Sequence, residues 1–418
     1  MAHWPLHSNV CYLAACLEGK SWEVDVFLYE SDERFSGDLL RDTAGIRVHR
    51  LGAPRPGPDG RRPRILRRIW ARAEGRFRRT RFASPFDNLR ERFWRRVRPQ
   101  HGLLPDAATD AIVLGAGTRP YAALIGVEKG GLAWAGTVAA RTRTPLVYYS
   151  LELYTRDHPW IVSSLWMQRF KALEESYHRR CAATIIQDPF RGKVLLADNR
   201  VRRPMRMAYL PISLSGGTVD TPSRWLQDRL GSPPGEKLIL CYGEVSGRRL
   251  SPELARLAQG FPEDWRLVFH GFGEPDAIGQ VRGIDLLGRV GISTTLVPAI
   301  QRQELVRSAH IGLALYGSAT LNDRLTGRSS EKIAMYLQCG IPLIAFRYPS
   351  YEHIEAEGSG ILIDGLDEIP GAVARILGNY DFYVRNARSC YRRHYCFEDN
   401  FEAAFPELEA AARPPSES

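Results

Sequence analysis

Nowhere does the sequence run through about 18 apolar positions without a charge. The best candidate, between Tyr121 and Ala140, is interrupted by Glu128, Lys129 and glycines, so a membrane-crossing helix is excluded. The N-terminus lacks a basic flank followed by an apolar run, so an export leader is not indicated. The seven cysteines (Cys11, Cys16, Cys181, Cys241, Cys339, Cys390, Cys396) are odd in number, scattered and free of any CxxC pair. That pattern excludes a disulfide framework and a zinc site and suits a reduced, cytosolic chain. No His or Asp cluster argues for another metal, so no metal ligand and no cofactor are expected. GxGxxG and Walker loops are missing, as are a helix-turn-helix and an aromatic RNA-binding signature.

One further lack is local. Between Arg55 and Arg98 there is no lysine and there are only four acids, yet there are sixteen arginines, a segment charge of +12. The whole chain is +10, so everything outside the segment sums to −2. A local charge needs a local partner. Leu66, Ile69, Trp70, Ala73 and Phe77, then Phe86, Leu89, Phe93 and Val97, recur every three or four positions, the pattern of two amphipathic helices. With Arg67 and Arg68 on one face and Trp70 and Phe77 on the other, such a helix lies in a headgroup layer, so an anionic membrane surface is the expected partner. The same stripes also fit helices packed on the protein's own core, their arginines solvated. Nucleic acid is not an expected partner, because none of its signatures accompanies the charge.

At 418 residues, 44% hydrophobic and 25% charged, the chain is long enough for two cores. From Trp22 onward short β-rich runs alternate with helical stretches: Glu23–Tyr29, Ile46–Leu51, Ala111–Leu114, Pro145–Ser150, Ala183–Gln187 and Met205–Leu210 read as buried strands. After a Gly-, Ser-, Pro- and Thr-rich stretch, Ser213–Lys237, the alternation restarts with Leu238–Tyr242, Arg266–His270, Ile311–Tyr316, Pro342–Phe346 and Gly360–Ile363. The expected class is α/β, two Rossmann-like doubly wound parallel-sheet domains facing across a cleft. The expected boundaries are 1–212 for an N-terminal domain with the basic amphipathic insertion 55–98, 213–237 for a linker, 238–395 for a C-terminal domain, and 396–418 for a helix and tail packing back on the first domain. The chain reaches its first helix, Ser8–Glu18, after seven residues that do not read as a strand, so either Met1, Ala2, His3 and Trp4 belong to a short edge strand or the start lies downstream of the true one, the reading slightly favoured.

The stretch 311–346, IGLALYGSATLNDRLTGRSSEKIAMYLQCGIPLIAF, carries the most chemistry. A strand ends at Tyr316, a polar loop follows, Ser329 and Ser330 supply N-cap hydroxyls, and Glu331–Cys339 forms a helix stopped by Gly340 and Pro342. Capped helices feeding strands are common and mostly structural. Here, however, Ser329, Ser330 and Lys332 surround a first turn whose amides and dipole favour an anion, and a diphosphate fits. Gly243, in LILCYGEVSGRRL, and Gly271, in LVFHGFGEP, end two more strands of the same sheet, and Arg248 and Arg249 follow closely enough to reach phosphate.

These residues resemble nucleotide-sugar-dependent glycosyltransferases of the GT-B fold, most like the large retaining, family-four-like group; SSEKIAMYLQCGIPLIA and the strand-glycine turn at Gly243 carry the likeness. It implies that the C-terminal domain binds a nucleoside diphosphate sugar, with Lys332 as the basic residue of the matching helix and Arg248 or Arg249 on phosphate. The chain departs from the commonest pattern, in which two glutamates eight positions apart hold the donor. Here those positions are Gly327 and Met335. Ribose and sugar hydroxyls then need other partners, and Asn322, Asp323 or Glu331 can supply them. The resemblance further implies that no protein nucleophile is required, the leaving diphosphate assisting while the protein supplies charge and positioning.

The N-terminal domain is expected to bind the acceptor through the loop after Pro145–Ser150. Glu152 there can take a hydroxyl proton, and an interdomain salt bridge is its equally plain alternative. His158 precedes a proline and reads as a surface residue or a catalyst, and Arg119 faces the same loops. The expected activity is transfer of a sugar to a lipid-linked or cell-envelope glycan at the cytosolic face of the inner membrane, by a cytoplasmic, peripheral enzyme. Two rival readings are a non-catalytic partner subunit that keeps the fold, motivated by the missing glutamates, and a nucleotide-sugar epimerase of the same fold.

Overall fold

The computed structural model describes residues 8–29, 45–51, 109–110, 112–115, 120–295 and 297–412. The arginine-rich segment 55–98, with Arg67, Arg68, Trp70 and Phe77, lies outside the described residues, as do Arg119, the first seven residues and the tail after 412. The chain divides into two compact units: Met1–Ile185, Lys193–Ala208 and Phe405–Ser418 form the first, and Ile186–Gly192 with Tyr209–Ala404 the second.

In the first unit, helix α1 (Ser8–Gly19) packs its Cys11 and Ala14 on a parallel pair, β1 (Val24–Tyr29) and β2 (Ile46–Leu51). A second sheet runs in the order β3 (Leu124–Val127), β4 (Leu146–Tyr149), β5 (Ala183–Ile186), β6 (Arg206–Tyr209), with β3–β4 and β4–β5 parallel. Every residue of β4 and β5 is buried, as parallel strands covered on both faces require. Helix α2 (Glu128–Thr142) links β3 to β4 and helix α3 (Leu165–His178) precedes β5. Behind this sheet lies a buried polar cluster. Tyr148 donates to Glu174 Oε1 at 2.9 Å, and the Lys171 ammonium lies 3.2 Å from the other Glu174 oxygen and 2.7 Å from Asn199 Oδ1. Burial raises the Glu174 carboxyl, but Lys129 and Lys171 outweigh it and hold the group ionised.

The second unit is built on a six-stranded sheet ordered β12 (Gly360–Ile363), β11 (Leu343–Phe346), β10 (Ile311–Ala314), β7 (Lys237–Tyr242), β8 (Trp265–His270), β9 (Val290–Ser293), parallel throughout. The side-chain period of two splits its core. Leu238, Leu240, Val268, Ala314 and Leu343 enter one apolar cluster, while Ile239, Leu267, Phe269, Leu313 and Ile344 enter the other. Each such side chain contributes roughly 1.5–3 kcal/mol on burial, so covering both faces is what keeps short strands in place. Helix α4 (Pro189–Asp198) begins in the segment assigned to this unit, and α5 (Glu331–Gln338) feeds β11.

One expectation needs correction. The run Ala111–Leu114 is not a strand: residues 112–115 are helical. A strand within a covered parallel sheet would bury both Ile112 and Leu114, whereas Leu114 is 73% exposed; nearby Thr109 instead accepts from Trp134 Nε1 of α2 at 2.9 Å. Strands β3 and β9, each four residues long and only partly buried, were not read from the sequence.

Tyr336 of α5 fastens its helix to the sheet. Its fully buried hydroxyl donates to Leu240 O at 2.9 Å and accepts from Tyr242 N at 3.0 Å, and its ring lies where a Cβ on Gly312 would sit, 2.5 Å away. Tyr336→Phe leaves both backbone groups of β7 without that partner, so chemical denaturation is expected to show a loss of about 1–3 kcal/mol. A loss below about 0.3 kcal/mol would show the hydroxyl to be dispensable.

Candidate functional site

In the second unit the carboxyl ends of β7, β8 and β10 carry the loops that hold most of the sequence-flagged residues. Gly243 follows β7 at φ +123° and Gly271 follows β8 at φ +147°, both left-handed conformations that side chains resist. The two turns touch: a Cβ on Gly271 would lie 2.0 Å from Gly243 O. Pairing persists through them, with Gly243 N donating to His270 O at 2.8 Å and Val245 N to Phe272 O at 2.9 Å. Over Gly243 stands Lys332, whose ammonium is 3.4 Å from the place a Gly243 Cβ would take.

Tyr316, just past β10 and 8% exposed, links these parts and was not singled out from the sequence. Its hydroxyl is 2.6 Å from Ser330 Oγ, and Ser330 caps α5 by accepting from Ile333 N. Its ring face carries two cations, Lys332 Nζ at 4.8 Å and the Arg249 guanidinium at 4.9 Å from the centroid. Arg249, 19% exposed, is also 3.7 Å from Glu244 and 3.8 Å from Asp323. Arg248 points outward, 66% exposed, and donates to Glu244 at 2.8 Å. Burial would raise the Glu244 carboxyl, but the Arg248 hydrogen bond and the charges of Arg248 and Arg249 carry it below its ordinary value. Glu331 opens α5 and lies 3.4 Å from Arg302. Two cations sharing one ring beside a capped helix terminus repel each other, and an anion bound between them would add to the partial compensation that Glu244 and Asp323 give Arg249.

Asn322 and Ser329 are brought together by a residue the sequence reading missed. Fully buried Arg191 donates from Nη1 to Asn322 Oδ1 at 3.1 Å, Ser329 Oγ at 2.9 Å and Leu325 O at 3.2 Å. Asp188 caps the turn that presents Arg191, accepting from its amide at 2.9 Å, and burial raises the Asp188 carboxyl. Asp188-Pro189 marks a helix start in the sequence, but nothing local marks the role of Arg191. The polar loop 322–329 is therefore shaped from one guanidinium.

In the first unit the loop after β4 carries Glu152, and its placement depends on Glu128, another missed residue. Glu128 stands at the junction of β3 and α2 with φ +57°, a strained conformation for a non-glycine. Its Oε1 accepts from Leu151 N at 2.6 Å and Glu152 N at 2.8 Å. Desolvation raises the Glu128 carboxyl, Lys129 opposes the shift, and the nearby Glu152 charge adds to it. Strain, a raised carboxyl and a position at a strand's carboxyl end are signs of a functional residue. His158 accepts at Nδ1 from Trp160 N at 3.2 Å, capping the turn Pro159–Val162, and its ring packs edge-on against Tyr154. Among the described residues no group of three His, Cys, Asp or Glu could hold a metal ion, and no helix is long and apolar enough to cross a membrane.

No protein-family model matches the sequence, nor does any curated protein. Solved structures do. HepE of Anabaena, determined in complex with UDP, superposes over 98% of both chains at a TM-score of 0.66 and 13% identity. Sucrose-phosphate synthase from Thermosynechococcus elongatus covers 96% of this chain and 93% of its own at 0.61 and 17%. The lipopolysaccharide outer core galactosyltransferase WaaB covers 96% and 95% at 0.56 and 13%. These structural neighbours are GT-B glycosyltransferases, and the fold of this chain is theirs.

The raised Glu128 carboxyl makes a signed prediction. A carboxyl raised on folding subtracts stability as pH rises from its unfolded value of about 4.3 through its folded value. Glu128→Gln keeps an acceptor for both amides and removes the charge, so its stability is expected to equal or exceed wild type at neutral pH and to lose that decline. Glu128→Ala frees the loop and is expected to cost about 1–3 kcal/mol. Denaturation midpoints of the two variants across pH 4 to 8 check both; a Gln variant as unstable as the Ala variant would overturn the assignment.

Proposed function

We propose that the chain is a glycosyltransferase that moves a sugar from a nucleoside diphosphate donor to a hydroxyl acceptor. The observation that carries this is the convergence of Lys332, Arg249 and the glycine turns at Gly243 and Gly271 beside the α5 terminus. The donor diphosphate binds between these cations, with Arg248 at the rim and Asn322, Ser329, Asp323 and Glu331 available to sugar and ribose hydroxyls. Neighbouring folds support it: Anabaena HepE was also determined with UDP-glucose.

In the reaction the bond from the anomeric carbon to the diphosphate oxygen breaks and a bond to the acceptor oxygen forms. Lys332 and Arg249 stabilise the charge that grows on the leaving diphosphate. The acceptor proton leaves to a carboxylate base or to the departing diphosphate oxygen. The acceptor is a lipid-linked or cell-envelope glycan at the cytosolic membrane face, a reading supported by the arginine and aromatic pattern of 55–98 and by the likeness in fold to WaaB and to WaaG, described as involved in lipopolysaccharide biosynthesis. A second reading, a non-catalytic subunit with a retained donor fold, draws on the glycine and methionine at the two usual glutamate positions.

Calorimetry with nucleoside diphosphates and their sugars tests the proposal. UDP or another nucleoside diphosphate is expected to bind, and saturation at 100 times the dissociation constant to stabilise by about 2.7 kcal/mol. Lys332→Ala is expected to weaken binding roughly 10- to 100-fold while the melting temperature of the free protein holds. Absence of binding by every nucleoside diphosphate would sink the donor site. Binding without sugar transfer to any acceptor glycan, or to water, would select the non-catalytic reading, and conversion of the donor sugar without an acceptor would select an epimerase.

A further inference from the structure

The first unit holds one carboxylate at the cost of backbone strain. Among the described residues five non-glycine positions have a positive φ. Ser21, Arg143, Arg200 and Leu250 each lie within two residues of the end of a helical turn, where a left-handed residue closes off the hydrogen bonding. The fifth, Glu128 at φ +57°, instead follows directly on strand β3 and begins α2. Such a conformation persists only where surrounding structure holds it, and it gathers at functional sites. Val127 before it contributes no side-chain cap, and the Glu128 carboxylate reaches the loop after β4 rather than the amides of its own first turn.

The result is a carboxylate fixed at one oxygen and open at the other. Val127 and Tyr149 pair in the parallel register of β3 and β4, so Glu128 and the loop after β4 leave the sheet together at its carboxyl end. Oε1 accepts from Leu151 N at 2.6 Å and Glu152 N at 2.8 Å, while Oε2 of this half-buried residue accepts from no group among the described residues. Two amides leave the carboxylate little freedom, so a hydroxyl that reaches Oε2 meets an acceptor already in position. The charged and titratable groups around it are Lys129 beside it, Glu152 on the loop, and the hydroxyls of Tyr148 and Tyr149 on β4. Tyr148 donates to Glu174, and the Tyr149 hydroxyl is buried without a hydrogen-bond partner. Desolvation raises the Glu128 carboxyl against the opposing charge of Lys129, the direction that suits a group taking up a proton near neutral pH.

We propose that Glu128 is the base of sugar transfer, its Oε2 taking the proton of the attacking hydroxyl as that oxygen bonds to the anomeric carbon. The bond from the anomeric carbon to the diphosphate oxygen breaks, and its electron pair leaves with the diphosphate. This rests on the glycosyl-transfer reading above and assigns the carboxylate which that reading leaves open. Glu152, the other carboxylate of the loop, is placed through the amide that Glu128 holds. Water in place of the acceptor follows the same route and yields free sugar, nucleoside diphosphate and one proton.

Hydrolysis of UDP-glucose, UDP-galactose and GDP-mannose by the full chain, followed from about pH 4 to about pH 9, tests this beside calorimetry with UDP. With the sugar nucleotide turned over fastest, the wild-type rate is expected to fall on the acid side, with a midpoint above the ordinary glutamate value of about 4.3. Glu128→Gln keeps an acceptor for both loop amides. It is expected to lose roughly 100- to 10,000-fold in kcat, and the acid limb with it, while its UDP dissociation constant stays within about twofold of wild type. A Glu128 that only holds the loop gives the reverse pattern, full turnover in Glu128→Gln and loss in Glu128→Ala alone, and that result overturns the proposal. So does an acid limb that survives in Glu128→Gln and disappears in Glu152→Gln, or wild-type turnover of none of the three sugar nucleotides. UDP binding separates the two conclusions. Binding that Lys332→Ala weakens, with full turnover in Glu128→Gln, removes the base alone, whereas absence of UDP binding by wild type removes the donor site and the base with it.

Discussion

The contact between two glycine turns governs the candidate donor site. With Gly271 facing Gly243 O at 2.0 Å from where a Cβ would be, neither turn can move out without breaking the pairing that continues past β7 and β8. Both backbones are held in left-handed conformations that a side chain would oppose, so the position depends on what is absent. That absence leaves room for the Lys332 ammonium directly over Gly243, and Tyr316 then arranges the remainder. One ring takes two cations on its face while its hydroxyl holds the helix cap. Removing any one of these elements disturbs the others, because each is in direct contact with the next.

The first unit fixes its loop by the opposite means. There a side chain is present where one is disfavoured: Glu128 accepts a left-handed backbone, at about 1–3 kcal/mol for such a residue, and in return one carboxyl oxygen receives two amides of the loop that carries Glu152. Strain retained at such a point must be opposed by surrounding structure, and the flanking Lys129, buried and lying over the Tyr154 ring at 4.7 Å, belongs to that support.

What could be read from the sequence follows the range of the interactions. Five of the six strands of the second unit were legible because parallel strands buried on both faces are apolar along most of their length, and the Ser330 cap with Lys332 was legible because capping is local chemistry. The run at 111–114 misled because AIVL is equally apolar whether it joins a sheet or lays one residue of a helical turn against α2. Glu128 and Arg191 were illegible for a different reason. Their partners are 23 and 24 residues away for the first and from 131 to 138 away for the second, so their roles exist only once the chain has folded. A lone arginine after a proline and a glutamate inside an apolar run carry no pattern of their own.

The same geometry bears on the two missing glutamates. Gly327 is not an open slot: a Cβ there would lie 2.0 Å from Ser350 O, so no carboxylate can be restored at that position without shifting the backbone. Met335 is 2% exposed and part of the apolar core beside Leu238 and Leu240, where an ionised carboxylate would be desolvated without a partner. The chain has therefore rebuilt the surroundings of both positions around apolar or backbone contact, beyond exchanging two side chains. Polar side chains gather instead on the loop that Arg191 shapes, where Asn322 and Ser329 are held by the same guanidinium and Asp323 lies 3.8 Å from Arg249. A donor bound here would have its diphosphate held by cations on Tyr316 and its hydroxyls read by a loop whose form is set by a buried arginine, so selectivity for the sugar is expected to follow the Arg191 contacts rather than the helix that follows them.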